Sequence, residues 1–450
     1  MLKFKSIGKV SFNIARILYL SVSLLICSAL NPVLAGVFAG NQLFVSPTGN
    51  DAVTRLANSI DNPWRTVSKA MLTAEAGDVV NFRAGTYTIS SDIITNGSVS
   101  TANEGTADNR IVYTNYQNES VLFNAAGGVI QIDRRYWTIS GINGISNSKV
   151  FWIGKDADGD NFIIEKGTFT LTQEGGASNR APLVFQTAGS DNAIVRDCRF
   201  FGPGKYKNAN TAGVFIFRSK NIKILNNEFS GFPSALFYKH PGVDSQTGIE
   251  FAYNYFHDND IGVRTVTMYA NIHDNLFVDS SIQVGQGGGT GDAGPTNQGG
   301  DFNTIANNTF YNVSATLLGL SAGEGYGATN NVLRDNVFTS RLRLIPFKVT
   351  PHNTTLDFNL YTTGVAVNNN RIDYNLSSWK SFYGQDANSI AGAPVFKGGS
   401  TPEFIFDYAL VSNSPGFKQA SDGGDMGANM SLVGINGQDG LARPKPPIPQ

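Results

Sequence analysis

The chain has 450 residues, 41% of them hydrophobic and 15% charged, with 34 Lys and Arg against 35 Asp and Glu. That balance offers no basic surface for generic nucleic-acid binding. Two cysteines, Cys27 and Cys198, exclude a disulfide framework and a cysteine-based metal site.

The first 35 residues read as a secretory signal. Lys3, Lys5, Lys9 and Arg16 precede an apolar run that ends at Val33-Leu34-Ala35, the order of a basic n-region, an apolar h-region and a small residue at the cut. The run is nearly long enough to span a bilayer, so a retained anchor is the competing reading. Removing the signal takes four of the 34 basic residues and no acid, which leaves 30 against 35 and a formal charge of −5. The expected destination is the periplasm, the cell surface or the medium, and the expected state is a monomer free of the membrane after cleavage.

Residues 41–51 open with a strand and a turn. Residues 63–78 then read as a helix, with Pro63 at its start and Val67, Ala70, Met71 and Ala74 at helical spacing. A strand at 79–88 follows. Segments 110–124, 127–144 and 160–172 are β-branched and aromatic, without a helical period. Between them, Asp156-Ala157-Asp158-Gly159-Asp160 has the composition of a calcium loop but lacks Gly at the sixth position and a distal Glu. It reads as a polar turn.

From there a phrase repeats: an aliphatic pair, an Asn, one spacer and an aromatic. The Asn residues are Asn227, Asn254, Asn275, Asn308, Asn336 and Asn359, and the aromatics are Phe229, Phe256, Phe277, Phe310, Phe338 and Tyr361. Successive aromatics stand 27, 21, 33, 28 and 23 residues apart. A constant phrase at uneven spacing predicts stacked β-coils with loops of variable length. Strands stacked about 4.8 Å apart put each Asn above the last, where amides bond along the stack and rings stack beside them. Asn also suits a sharp corner, because it tolerates left-handed backbone. Cys198, two residues before Phe200, reads as a buried substitute at the Asn position. The fold class predicted is all-β, a single-stranded right-handed parallel β-helix with an N-terminal capping helix. One domain spans 36–439, with its cap at about 41–88 and closing coils at about 375–428. The Gly-rich stretch 285–301 reads as a long loop beside the groove, and the Pro-rich tail 440–450 as extended.

The succession FVSPTGND, NPWRTVSKAM and AGDVVNFRAGTY, with DANSIAGAPVFKG and DYALVSNSPGFKQASDGGDMGA near the other end, resembles the terminal segments of secreted right-handed β-helix proteins of the pectate-lyase-like superfamily. With the repeated phrase, the resemblance covers nearly all of residues 41–428.

A second strand follows each repeat, and parallel stacking brings polar residues of these strands into one groove. The apolar alternation places Lys239 and Arg264 at equivalent positions on adjacent coils, with Gly285 at that position on the next. Arg218, His240, Gln283 and Gln286 stand near them as candidate substrate-binding residues. Cations along an otherwise acidic protein point to an acidic, uronate-containing polysaccharide as partner. Abstracting the C5 proton of a uronate requires its carboxylate to be neutralised and a base within hydrogen-bond reach. Lys239 is the candidate base and Arg264 the carboxylate clamp or acid, in a β-elimination. The arrangement resembles alginate- and chondroitin-cleaving β-helix lyases. That resemblance implies Ca²⁺ held just ahead of the Lys, yet residues 232–237 carry no acid. No metal ligands are therefore assigned, and Ca²⁺ is the one cofactor the resemblance brings in. A polysaccharide lyase is favoured. The alternatives are a C5-epimerase, a glycan-binding surface protein and a glycoside hydrolase, which needs paired carboxyls from among Asp258, Asp260, Asp274 and Asp279. The polygalacturonase, pectin-esterase and classical pectate-lyase signatures are absent. His257 and His273 stand at different places relative to their repeats, which speaks against a shared zinc site.

Overall fold

A computed structural model describes residues 40–97, 101–176, 178–186, 189–205, 207–208, 210–239, 248–285, 300–318, 330–345, 353–362, 364–369 and 371–435. The signal segment, His240, Gln286, most of the Gly-rich stretch and the Pro-rich tail lie outside them. The chain from Gln42 onward forms one compact unit. Among the described residues no helix is long and apolar enough to cross a membrane.

Strands of three residues or so recur in threes, and each pairs with the strand one coil before and one coil after. The result is three sheets of 12 strands each among the described residues. The first sheet runs from Gln42–Val45 to Thr355–Asp357, the second from Gly85–Thr88 to Ile390–Ala391, and the third from Ile93–Ile94 to Ile372–Tyr374. Pairing is parallel except for the last pair of the third sheet, Val367–Asn369 with Ile372–Tyr374. This is a parallel β-helix. Alternate residues turn inward, so Ile164, Val195, Ile224, Phe251 and Ile272 stack in register on the first sheet. All five are buried in one continuous core.

The repeated phrase makes the corner between the first and second sheets. Asn254 Nδ2 donates to Asn275 Oδ1 at 3.0 Å, Asn275 to Asn308 at 3.0 Å, Asn308 to Asn336 at 3.1 Å and Asn336 to Asn359 at 3.0 Å. Each Oδ1 also accepts the backbone N–H of the Asn one coil before, as Asn275 does from Asn254. The column begins at Cys198, whose N–H donates to Asn227 Oδ1 at 3.0 Å. Burial pushes that thiol up to about 12, in keeping with a filler rather than a nucleophile. Beside the amides, Phe200, Phe229, Phe256, Phe277, Phe310, Phe338 and Tyr361 stack at 4.7–5.3 Å between centroids. Phe169 extends the stack by one more coil.

One expectation about the corner is corrected. The left-handed residue is not the ladder Asn but the one before it: Asp197, Asn226, Tyr253, Asp274, Asn307, Asp335 and Phe358, with φ between 51° and 60°. The ladder Asn is kept for its amide, which no other side chain reproduces as both donor and acceptor at this length. The bend itself tolerates Tyr and Phe at a cost the stacked hydrogen bonds offset.

The helix near the N-terminus is shorter than expected, Val67–Thr73. Its cap is Thr66, which accepts from Lys69 N and is itself held by Asp51. Val67, Ala70 and Met71 face the core. At the other end, both ladders terminate on Asp386. Its buried carboxyl accepts from Asn359 Nδ2 at 3.3 Å, Tyr361 Oη at 3.2 Å and Trp379 Nε1 at 2.9 Å, and from Ser389 Oγ. Trp379 belongs to the helix Leu376–Tyr383 and is fully buried.

Residues expected as closing coils take a different course. After Ile390–Ala391 the chain turns back along the outside of the second sheet. Phe396, Ile405, Tyr408, Met426, Met430 and Val433 cover the outward faces of Tyr255, Leu276, Val278, Val337 and Leu360. Asn226 Nδ2 holds Leu432 O at 2.6 Å, and Gly434 N donates to Tyr253 O at 2.8 Å.

Candidate functional site

The third sheet carries the candidate groove on its outward face. One row of outward residues runs in register through Trp152, Val184, Phe215, Phe237, Arg264, Gln283, Thr316 and Arg343. Its first half is apolar, and Val184, Phe215, Phe217 and Phe237 form a cluster separate from the main core.

The register corrects the expected alignment of the two cations. Arg264 stands opposite Phe237, not Lys239, and Lys239 pairs with Phe217 one coil earlier. Gln283, not Gly285, is the neighbour of Arg264 on the next coil. The offset is two residues, so both cations still point outward. They meet at the ring between them: the Arg264 guanidinium carbon lies 4.6 Å from the Phe237 centroid and Lys239 Nζ lies 5.8 Å from it. Phe237 is thereby 3% exposed. Such contacts hold cationic side chains in place through the ring quadrupole.

Lys239 Nζ also donates to Asn179 Oδ1 at 3.3 Å and Asn210 Oδ1 at 3.4 Å. Both asparagines come from loops that precede strands of the same sheet on earlier coils. Burial pulls the Arg264 guanidinium down from its ordinary value, against the opposing charge of Asp260. Arg218 sits just past the strand Ala212–Phe217, exposed and left-handed at φ 53°. The predicted residues Lys239, Arg264 and Gln283 are thus brought together on one face, and Arg218 stands at its border. Phe237 was overlooked although it stands as far past Asn227 as Arg264 does past Asn254, whereas Asn179 and Asn210 were not legible because their proximity depends on loop paths.

Among the described residues no set of side chains fits the implied Ca²⁺. The described residues contain no group of three or more His, Cys, Asp or Glu side chains that could hold a metal. In the 156–160 turn the carboxylates are committed to local bonds. Asp156 accepts from Gln131 Nε2 at 2.8 Å, Asp158 from Asp160 N at 2.9 Å and Asp160 from Asp191 N at 2.6 Å.

The two histidines lie on other faces in matching settings. His257 bridges Glu228 at 3.0 Å and Asp258 at 2.8 Å on the second sheet, and His273 bridges Glu250 at 3.3 Å and Asp274 at 2.9 Å on the first. In each trio the carboxylates raise the imidazole although burial, the largest single influence, lowers it. These are structural ion clusters rather than parts of the groove.

Comparison with known proteins agrees with this architecture. Residues 43–231 match the family model described as the Pel9A-like right-handed β-helix region. The chain is a parallel β-helix, and over residues 43–231 it is similar to the right-handed β-helix region of Pel9A-like proteins. Among solved structures, the complex of XylC with xylose superposes with a TM-score of 0.52 at 10% identity, covering 83% of this chain and 88% of that one. Pectate lyase Pel9A gives 0.46 at 14% identity, over 88% and 98% of the two chains. A rhamnogalacturonan lyase gives 0.44 at 14%, over 65% and 87%. At 10% identity the likeness to XylC concerns the fold alone. No curated protein matches the sequence.

Proposed function

We propose that this protein is an exported polysaccharide lyase that cleaves an acidic, uronate-containing polysaccharide by β-elimination. The observation that carries the reading is the pair Lys239 and Arg264, set on adjacent strands of one face and bracketing the Phe237 ring. The match of residues 43–231 to the Pel9A-like β-helix region supports a polysaccharide-active protein.

In this reading Arg264 binds the carboxylate on C5 and stabilises the charge that spreads onto it as the C5 proton leaves. Its fork of donors matches a carboxylate in two parallel bonds. Lys239, as the amine, takes the C5 proton. The C5–H electron pair becomes the C4–C5 double bond, and the C4–O bond breaks with its pair on the glycosidic oxygen. That oxygen is protonated by the Lys239 ammonium or by water. Asn179 and Asn210 orient Nζ through neutral amide oxygens. His240 and Gln286, expected to bind substrate, are assigned no position in this scheme, and no step passes through a metal.

The test is Lys239→Ala, assayed by the ultraviolet absorbance of the unsaturated product. Loss of at least a hundredfold in rate is expected, in line with removal of a general base, which is worth roughly 10²–10⁴. Activity at the level of the unsubstituted protein would overturn the assignment.

A further inference from the structure

A second cluster of cations lies on the same face, toward the N-terminal end. Trp152 occupies the same outward row as Phe237 and Arg264, four coils earlier through Val184 and Phe215. At about 4.8 Å per coil the separation is roughly 19 Å. Lys149 Nζ is 4.7 Å and Lys155 Nζ 4.8 Å from the Trp152 ring centroid. The indole Nε1 donates to Gln186 Oε1 at 3.3 Å. Arg180 stands on the next coil, where Val150 N donates to Pro182 O and sets the segments ahead of the two strands side by side, and its Nη1 donates to Gln173 Oε1 at 2.7 Å.

Two of these three cations have no ion-pair partner among the described residues. Among the described residues no carboxylate lies within ion-pairing distance of Lys149 or Arg180, whereas Lys155 has its neighbour Asp156 at 3.5 Å. Asp92 acts on Lys149 only at longer range, and Val129 N occupies its Oδ1. Burial first, then Arg180 and Lys155, pull Lys149 down from its ordinary value. Holding two cations beside an aromatic ring, with a third on the neighbouring coil, costs free energy that a bound anion would return.

We infer that Lys149 and Lys155 around Trp152, with Arg180 on the neighbouring coil, form an anion-binding subsite for a carboxylate of the acidic polysaccharide, four coils from Arg264. The inference rests on the acidic-polysaccharide reading above and extends it. A chain lying along the helix axis engages both clusters at once. Linking two weak contacts in this way raises affinity well beyond either alone, provided the ligand spans both. Chains too short to reach from Arg264 to Trp152 lose that gain.

Tryptophan emission gives a direct readout. Of the four tryptophans, Trp64, Trp137 and Trp379 are fully buried, so acrylamide quenching reports mainly on Trp152, which is half-buried. Trp152→Phe supplies the control that removes this signal. The experiment adds pectate and alginate chains of graded length to the whole protein, following retardation in polysaccharide-containing gels and protection of Trp152 from acrylamide. Long chains are expected to retard the protein and protect Trp152. The paired substitution Lys149→Gln and Arg180→Gln should weaken long-chain binding about tenfold or more, the loss of at least one charge-assisted contact, while the circular dichroism spectrum is kept. Retardation without protection of Trp152, or binding unchanged in the paired variant, would overturn the subsite and leave the proposed function standing. Absence of retardation by any acidic polymer would overturn both.

Discussion

Lys239 and Arg264 illustrate what a residue's neighbours can do that its position in the sequence does not reveal. Alternation alone marks both as outward-facing, and that much was legible. Their alignment was misread from alternation, although Phe237 and Arg264 stand equally far past their ladder residues Asn227 and Asn254, so counting from the repeat pairs Arg264 with the ring rather than with Lys239. Cys198 was legible because it stands where a ladder Asn belongs. The histidines were legible only in part: their different places relative to the repeat separated them, but not the carboxylates that each collects from the preceding coil. Those partners make a prediction at the same scale. Raised imidazole values at His257 and His273 contribute stability that is fully present below their ordinary value of about 6.5 and is lost as pH rises through the raised values. Glu228 and Glu250 are lowered against their burial by His257, Arg199, Lys223 and His273, and their contribution is lost as pH falls below about 4.5. Stability to urea should therefore be greatest between roughly pH 4.5 and 6.5, and His257→Gln should flatten its alkaline side. A profile that keeps rising above pH 7 would contradict this account.

At the scale of the element, the unit is the coil corner, where one amide ladder and one ring stack run side by side. The repeated phrase announced both, since the spacing of Asn and aromatic is constant while the loops vary. The left-handed position was not announced, because Asp, Asn, Tyr and Phe all occupy it and no single residue type signals it. Nor was Asp386, which ends both columns from within a segment that lacks the phrase. Each ladder Asn serves several buried groups. Asn275 Oδ1 accepts from Asn254 N and Nδ2, and its Nδ2 donates to Phe251 O, His273 O and Asn308 Oδ1. Asn275→Ala strands these groups away from water, so a loss of about 3 kcal/mol or more in unfolding free energy is expected. A loss below about 0.5 kcal/mol, within the range of ordinary surface substitutions, would show that the ladder adds little.

For the whole molecule, the solenoid was legible in the sequence and the course of its last segment was not. Residues 392–435 carry apolar residues without the repeat, and composition alone does not say whether they add coils or lie across existing ones. The structure lays them along the second sheet, where they cover Leu276, Val278, Val337 and Leu360. Ending the chain at Ala391 would expose a contiguous apolar strip on the sheet, a surface prone to association. The truncated protein should elute as oligomers or aggregate in size-exclusion chromatography. A monomer with unchanged thermal stability would show the segment to be dispensable. This covering leaves the third sheet as the face that carries the paired cations, and the account assigns polymer cleavage to it. The measurement that tests that claim most directly is ultraviolet absorbance of the purified protein mixed with alginate, pectate and glycosaminoglycans, with and without added Ca²⁺, beside its Lys239→Ala variant. The account predicts rising absorbance with an acidic polymer for the unsubstituted protein and a flat trace for the variant. Reducing ends released without any rise in absorbance would contradict elimination and point to hydrolysis.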